Sequence, residues 1–596
     1  MSNTKKIVIL GGGYAGVEAA KVLNKKFKKD NNVEITLINS NPYHTLLTEL
    51  HEIAGHRTEK ESVMVDLFSV FKATKVNVVR DTIASIDYKE QVLTSETGSY
   101  KYDYLVLGCG AEPAFFGVEG VQENAFTIWS LKDALKIRTH IESIFEKAQG
   151  EKDVMKRKEL LSIIVAGAGF TGVEVVGELF DQKKILCQKY DINENEVTIY
   201  NVEAMPNILP MLKPALQNKA VNYMKKKKVQ VLTNSAIVKA TADGILLKDG
   251  REIKAKTLIW TCGVQGNSFV PGTGITQGPR NRIRVNEFMQ SEDYTNVFAI
   301  GDNAYYEVDG KPFPQVVEAA IQTGECAAAN IYADITKTEK HSLKLNIHGF
   351  MVSIGSHYCV AELMGVQMSG FIAMAMKHVV NLHYLWGVGG LKLIWNYMLH
   401  EFFHMEDRRS FVGGHLGHKT HTSWLVLLRM YVGVLWLLEG VHKIQDGWLV
   451  PGNIKIVQVA STTGASAAPA AGEEVVVYAT PILAKAPAFY QWFTDAVVAP
   501  NAGMFQFMVT FMEIGIGLAL IVGLFTFFAS IASLGLVANF VLSAQTGWDI
   551  LWFVFAAIAL MGGAGGGFSL DYYVQPWIKK WWKSTKIAQR SYLYFD

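Results

Sequence analysis

Apolar positions along the first 345 residues fall in short blocks: Ile7–Leu10, 33–39 ("VEITLIN"), Ile163–Val165 and Val297–Ile300. Polar or glycine residues bound each block. Blocks of this length predict strands buried on both faces of a parallel sheet, and the helix-compatible stretches after them predict βαβ units. A second pattern covers 369–405, where apolar and polar residues alternate at helical spacing. Lys377, His378, His383 and Lys392 interrupt it, so it lacks the roughly 20 apolar residues of a span and predicts helices lying in an interface plane. After Ser423 a third pattern begins: four apolar spans at 424–444, 505–525, 526–545 and 548–567.

Composition sharpens this division. The chain has 596 residues and a formal net charge of only +2, so no global field recruits nucleic acid. Its 49% hydrophobic content is concentrated after 423. The five cysteines, Cys109, Cys187, Cys262, Cys326 and Cys359, are odd in number and form no CxxC pair, which argues against a disulfide framework or a cysteine-ligated zinc. The N-terminal apolar run stops at glycines, short of a secretion signal, so the first domain is expected to stay in the cytoplasm. Positive charge gathers before the first span (Arg408, Arg409, Lys419) and after the last (Lys579, Lys580, Lys583, Lys586, Arg590). Both ends should therefore be cytoplasmic and the loop 445–503, with its flexible "ASTTGASAAPAAGEE", external.

Two glycine fingerprints carry the chemistry. Gly11-x-Gly13-x-x-Gly16 follows the first apolar block, and Gly167-x-Gly169-x-x-Gly172 follows the block at 163–165. In such a fingerprint the first glycine permits the turn, the second lets backbone approach a pyrophosphate, and the third lets helix and strand pack. The strand after the first fingerprint ends at Asn39, where an acidic residue usually holds a ribose; after the second it ends at Glu203. A carboxylate suits a ribose diol and repels a 2′-phosphate. A third element, Gly301-Asp302 after the block at 297–300, places an aspartate where it can bind the ribityl or pyrophosphate part of FAD. Two dinucleotides imply a flavoprotein fed by a nicotinamide, with one βαβ domain inserted in another that resumes near Arg282.

With "NPYHTLLTELHEIAG" (41–55), "GFTGVEVVGEL" (169–179), "NILP" (207–210), "IWTCGVQGN" (259–267) and "AIGDNA" (299–304), residues 5–412 resemble type II NADH:quinone oxidoreductases, single-chain non-pumping flavoproteins. The resemblance implies that FAD is bound by Gly11, Gly12, Gly13, Tyr14, Ala15, Gly16, Asn39, Ser40, Thr48, Ile83, Gly301, Asp302 and Ala320, and NADH by Gly167, Gly169, Gly172 and Glu203. It places Glu174, Gln322 and Lys377 at the catalytic site. Glu174 is otherwise a carboxylate stabilised by a helix N-terminus, and Lys377 otherwise an interfacial lysine that snorkels. Where the family carries AQxAxQQG this chain reads Val317-Glu318-Ala319-Ala320-Ile321-Gln322-Thr323-Gly324, so Glu318 and Thr323 replace two glutamines. About 160 residues after Ser423 resemble the DoxX-like membrane family through Arg429, Gly433, Gly440 and Lys443. Arg429, Glu439 and Glu513 lie within spans, which marks either a functional site or helix pairing.

The expected architecture is α/β, with an FAD-binding domain (1–120 and 282–345) holding an inserted NADH-binding domain (121–281). A membrane-interface anchor where quinone enters (346–422) and an all-α four-helix transmembrane bundle (423–596) follow. The expected function is hydride transfer from NADH to FAD and two electrons onward to a menaquinone-type membrane quinone, feeding a respiratory or extracellular electron transfer chain. The expected partners are the bilayer and its quinone pool, no nucleic acid, and a second copy as a homodimer. Two alternatives stand beside it. Sulfide:quinone oxidoreductases share the fold but need paired redox cysteines. His400-Glu401-x-x-His404 spells a zinc-protease signature, with His415, His418 and His421 behind it. No glycine spacer and third ligand follow at a fixed distance, so this segment is taken as an amphipathic helix end and no metal is expected.

Overall fold

The computed structural model describes residues 4–308, 310–403, 409, 421–455, 482–544 and 546–592. The chain divides into two compact units, Met1–His418 with Lys586–Leu593, and Lys419–Thr585 with Tyr594–Asp596.

In the first unit, β1 (Lys5–Leu10) leads through the fingerprint into α1 (Tyr14–Lys26), then β2 (Val33–Asn39), the short α2 (Leu50–Ala54), β3 (Val76–Arg80) and β4 (Tyr104–Leu107). A second set follows: β5 (Phe126–Thr127), β6 (Ser162–Ala166), α3 (Phe170–Lys189), β7 (Thr198–Val202), β8 (Gln230–Leu232) and β9 (Thr257–Trp260). Then β10 (Val297–Ala299) and α4 (Val317–Thr336) return to the first. The sheets are parallel, ordered β10-β4-β1-β2-β3 and β5-β9-β6-β7-β8. All strands of the second thus lie in sequence between β4 and β10 of the first. The two connections, Ala111–Pro113 and Val264–Gly266, pair antiparallel. The apolar run of each fingerprint strand, Ile7–Leu10 and Ile163–Val165, is buried throughout.

A three-stranded antiparallel sheet (Gly349–Ser353, Cys359–Leu363, Val366–Ser369) then leads to α5 (Phe371–Met398). This helix breaks at Gly389 and Gly390, whose backbone is not helical, and a single wider turn, Leu399–Phe403, continues it. Interrupting the apolar run with charge does not put every charge outside: Lys377 and Glu401 are 6% and 5% exposed.

The second unit holds α6 (Ser423–Gln445), α7 (Ala502–Val522), α8 (Thr526–Leu542), α9 (Leu551–Met561) and α10 (Asp571–Ser584). Two helical stretches, Ser423–Gln445 and Ala488–Val522, are long and apolar enough to cross a membrane; Thr526–Leu542 and Trp548–Met561 are apolar but shorter. The expected spans 526–545 and 548–567 are therefore helical over less than their apolar length, because Ser543-Ala544 and the glycine run from Gly562 end the helices. α6 and α7 approach where Gly433, Gly440 and Gly517 leave no room for a Cβ. Of the three ionisable span residues, Arg429 donates to the carbonyls of Ala564, Gly567 and Phe568, Glu513 pairs with Lys443 at 2.7 Å, and Glu439 is exposed on α6.

Candidate functional site

Both fingerprints are built alike. Gly11 and Gly167 have φ of +110° and +95°, which disfavours any side chain. A Cβ on Gly16 would fall on the Gly11 carbonyl oxygen, and one on Gly172 on the Gly167 carbonyl oxygen. Around Gly13 and Gly169, by contrast, a Cβ would meet nothing within 4 Å. The outer glycines serve packing, while each middle glycine faces open space at the start of a helix, where a pyrophosphate fits.

The strand-end residues close these turns. Glu203 accepts the N–H of Ala168 at 2.7 Å and of Met205 at 2.9 Å. Asn39 does the same in the first domain: its Oδ1 accepts the Gly12 N–H at 2.9 Å, and its Nδ2 donates to the carbonyls of Asn41 and Tyr43. Its amide is thus engaged by backbone on both sides. Tyr14 is buried, with its hydroxyl 3.2 Å from Thr48 Oγ1; Ser40 is exposed and Ile83 buried. Gly301 donates its N–H to Thr323 at 2.9 Å, so the threonine in place of the family glutamine holds the Gly301-Asp302 turn. Burial pushes the Asp302 carboxyl up to about 6 against the pull of Arg282.

Two polar residues that sequence reasoning passed over lie at this turn. Arg282 is 5% exposed, and its Nε and Nη2 have no hydrogen-bond partner among the described residues. The Asn303 amide is fully buried and unpartnered at both ends. Orphaned buried donors are costly. Here they lie at the turn whose Gly301 packs on Ala15 of the first fingerprint, 3.2 Å from where its Cβ would lie, so this residue set fits a flavin dinucleotide.

Glu174 sits in the first turns of α3, its side chain 15% exposed. Burial raises its pKa, Lys377 pulls it down, and Glu49 and Glu52 push it up again; the carboxyl ends well above the usual range. Lys377 does not snorkel: its Nζ is 2.8 Å from Glu49 and 2.9 Å from Glu52, and the two carboxylates outweigh burial and hold it charged. Arg57 pairs with Glu52, with Glu178 at 3.1 Å and with Glu401 at 3.6 Å. This buried network escaped sequence reasoning. Its one signal was the acidic pair Glu49 and Glu52 three apart in an otherwise apolar stretch, since buried charge demands partners. Lys377 fills the position a metal ion would take between Glu49 and Glu52. Glu401 is committed to the network rather than free to activate water for proteolysis, while His404, His415 and His418 lie outside the described residues, as do Arg408, Lys419 and 460–474.

Gln322 and Glu318 point together to the segment before the antiparallel sheet. Gln322 exchanges two hydrogen bonds of 2.8 Å with Asn346, and Glu318 accepts from the His348 backbone at 2.9 Å and pairs with its ring. Asn346 and His348 line a cavity of about 720 Å³, together with Met211–Pro214 and Phe350. The structure thus brings Glu174 and Lys377 into one cluster and leaves Gln322 apart from it, bonded to Asn346 of the cavity wall. All five cysteines are free, which leaves the paired redox cysteines of the sulfide alternative without a counterpart.

Two glycine cradles on two parallel sheets, with Glu174 on the helix that starts at the second, define a two-dinucleotide oxidoreductase. Residues 5–324 match the pyridine nucleotide-disulphide oxidoreductase family, and 424–595 match the TQO small subunit DoxD family. Type II NADH:quinone oxidoreductases of Staphylococcus saprophyticus and Staphylococcus aureus are 34% identical over 396 residues, covering 65% of this chain and 97% of theirs. The chain belongs to the type II NADH:quinone oxidoreductase family, with a DoxD-family domain at its C-terminus. The structure of NDH2 from Plasmodium falciparum in complex with NADH shares the fold, with a TM-score of 0.60 at 19% identity, over 67% of this chain and 97% of that one. The sulfide:quinone oxidoreductase of Aquifex aeolicus shares it at 0.54 and 19%, over 66% and 92%.

Proposed function

We propose that this chain oxidises NADH and reduces a menaquinone-type membrane quinone, with FAD as its flavin. Bound FAD would supply the two-electron relay between the two substrates. Gly11, Gly13, Gly16, Asn39, Asp302, Arg282 and Asn303 would hold it, with Tyr14, Thr48, Ser40, Ile83 and Ala320 around it. Gly167, Gly169, Gly172 and Glu203 would hold NADH. Burial holds the Glu174 carboxyl well above the usual carboxylate range, so it would serve as the group that gives a proton to a quinone oxygen. Lys377 pairs with both Glu49 and Glu52 and offsets part of their charge. Gln322 fixes the segment that borders the cavity.

The reading extends to the finer organisation. The FAD domain spans 1–120 and 282–345, the NADH domain 121–281, and the interfacial anchor 346–422. The bundle at 423–596 crosses the membrane four times with the catalytic unit on the cytoplasmic side, and two copies pair. In the membrane unit the charged residues buried among the described residues are Arg429, held by three carbonyls, Asp571, which accepts the N–H groups of Phe525 and Thr526, and Glu513, which pairs with Lys443. None forms a charged path across it, which supports a non-pumping enzyme.

The observation that carries the function is the pair of cradles, each open at its middle glycine and closed by the side chain at the end of the next strand. The test is NADH oxidation by the purified full chain with menaquinone, demethylmenaquinone and ubiquinone analogues, in vesicles carrying a pH-sensitive dye. Yellow, flavin-loaded protein that passes no electrons from NADH to any of them would overturn it.

A further inference from the structure

His51 stands between two carboxylates. Its Nδ1 is 3.8 Å from Glu174 Oε2, and its Nε2 is 3.9 Å from Glu52 Oε1 and 3.3 Å from Ser353 Oγ. Both carboxylate gaps exceed a hydrogen bond by about 1 Å, which a turn of either carboxylate or one bridging water closes. The ring is 3% exposed, and burial first, then Lys377, lowers its pKa to about 3. It is therefore a neutral imidazole, with one N–H and one lone pair.

Beyond Glu52 lies Glu401. Arg57 Nη2 pairs with Glu52 and lies 3.6 Å from Glu401, so the two carboxyl groups crowd one guanidinium and a proton on one of them relieves the pair. Arg57 and Lys377 outweigh burial and hold Glu52 ionised, whereas burial and Glu52 push Glu401 up, so the proton resides on Glu401. The charge balance says the same. Glu49, Glu52, Glu174, Glu178 and Glu401 share two buried cations, Lys377 and Arg57. Arg409 and Asp181 act on Glu178 from the edge with opposite signs. Leaving the excess carboxylates ionised in a buried site costs far more than protonating them.

We propose that His51 relays protons between Glu174 and the pair Glu52–Glu401 that meets at Arg57, so that the glutamate of the HEFFH segment is the store that refills Glu174. The inference rests on the quinone-reductase reading. Quinone takes up two electrons and two protons; NADH supplies both electrons and one proton, and solvent supplies the other. As the Glu174 O–H breaks, an O–H forms on the quinone oxygen. As the His51 Nδ1–H bond breaks toward the Glu174 carboxylate, its Nε2 lone pair takes the proton handed through Glu52 from Glu401, and solvent refills Glu401. The imidazole stays neutral throughout, which its burial demands. The ring returns to its first tautomer between turnovers.

Full-length, flavin-loaded protein tests this with His51→Asn and Glu401→Gln. Infrared spectra at neutral pH should show a protonated-carboxyl C=O band that shifts in D₂O and weakens in Glu401→Gln. The ratio of quinone reduction to ferricyanide reduction, a proton-free measure of electron flow, should fall about tenfold or more in each variant, the range of general acid–base effects. The double variant should be no worse than the more impaired single, because both act in one series. A purely structural role would lower both rates together. An unchanged ratio in either variant, or no protonated-carboxyl band in the wild type, overturns the relay. A wild type that reduces ferricyanide but no quinone overturns the quinone-reductase reading instead, and the infrared band then still decides whether Glu401 stores a proton.

Discussion

Glu203 accepts the backbone N–H of Ala168 at 2.7 Å, tying the end of β7 to the turn of the second fingerprint. This fixes a carboxylate beside the cradle proposed to hold NADH, where a strand-end acid meets the adenosine ribose in this kind of fingerprint. Asn39 and Gly12 form the equivalent bond at 2.9 Å in the first domain. A 2′-phosphate would meet the Glu203 charge at close range. kcat/KM should therefore favour NADH over NADPH, and Glu203→Gln should narrow the gap by at least tenfold, as loss of one close like-charge contact predicts. Equal kcat/KM values for both nucleotides in the wild type would refute this.

The middle and last glycines of the first fingerprint should behave differently. A Cβ at Gly13 meets nothing within 4 Å, so Gly13→Ala should fold normally but lose flavin, because its methyl projects into the pyrophosphate space. A Cβ at Gly16 falls on the Gly11 carbonyl, so Gly16→Ala should forfeit stability as well, by roughly 1–3 kcal/mol for an overpacked site. Flavin content and Tm of the apoproteins separate the two. A drop in apoprotein Tm for Gly13→Ala would show that this glycine too serves packing.

The cradles were legible because each is contiguous: a strand, a turn and a helix start within about thirty residues. β2 spans Val33–Asn39, as its residue pattern indicates, and the insertion of one sheet between β4 and β10 follows from the order of the blocks. The buried cluster was not legible for the opposite reason. Lys377 meets Glu49 and Glu52 across more than 300 residues, and Glu401 reaches Arg57 across a comparable stretch. Read locally, Lys377 on a half-apolar helix looks like an interfacial side chain, and HEFFH looks like either a zinc motif or a helix end. Only the fold shows that the stems of α2, α3 and α5 converge and force these charges to satisfy one another.

Truncation after about residue 420 should leave a folded, flavin-containing NADH dehydrogenase active with soluble acceptors. The structure adds one cost. Residues 586–593 group with the first unit, and Tyr592 donates its hydroxyl to the Val70 carbonyl at 2.9 Å. Losing that bond should cost about 1 kcal/mol, seen as a small fall in Tm with flavin retained. Loss of flavin on truncation would place the boundary elsewhere.

Lys377→Met should be strongly destabilising. It leaves Glu49 and Glu52, both under 5% exposed, without the ammonium that pairs them. Breaking a buried pair from one side costs roughly 3–5 kcal/mol. Adding Glu49→Gln to Lys377→Met should recover much of the loss, because Glu52 keeps Arg57. Equal Tm values for Lys377→Met and wild type would mean that the cluster is wetter than its burial indicates.

Glu178 makes the stability of the catalytic unit depend on pH in a definite direction. Burial, the largest influence, raises its carboxyl from 4.5 to about 7; Arg57 pulls it down and Glu52 pushes it further up. The folded chain thus holds a proton that the unfolded chain releases as pH rises past 4.5. Between about pH 4.5 and 7 the unfolded state binds fewer protons, so stability falls with rising pH across that window and levels off above it. The displacement is worth about 3 kcal/mol for a group only 1% exposed. Glu49, Glu174 and Glu401 act in the same sense, so the comparison must be between wild type and a single variant. Glu178→Gln removes one titrating group and keeps its volume. Its Tm should fall less steeply than that of the wild type as pH is raised through this window, and the two curves should run parallel at higher pH. Parallel curves throughout would mean that Glu178 is ionised in the fold and that Arg57, not burial, governs it.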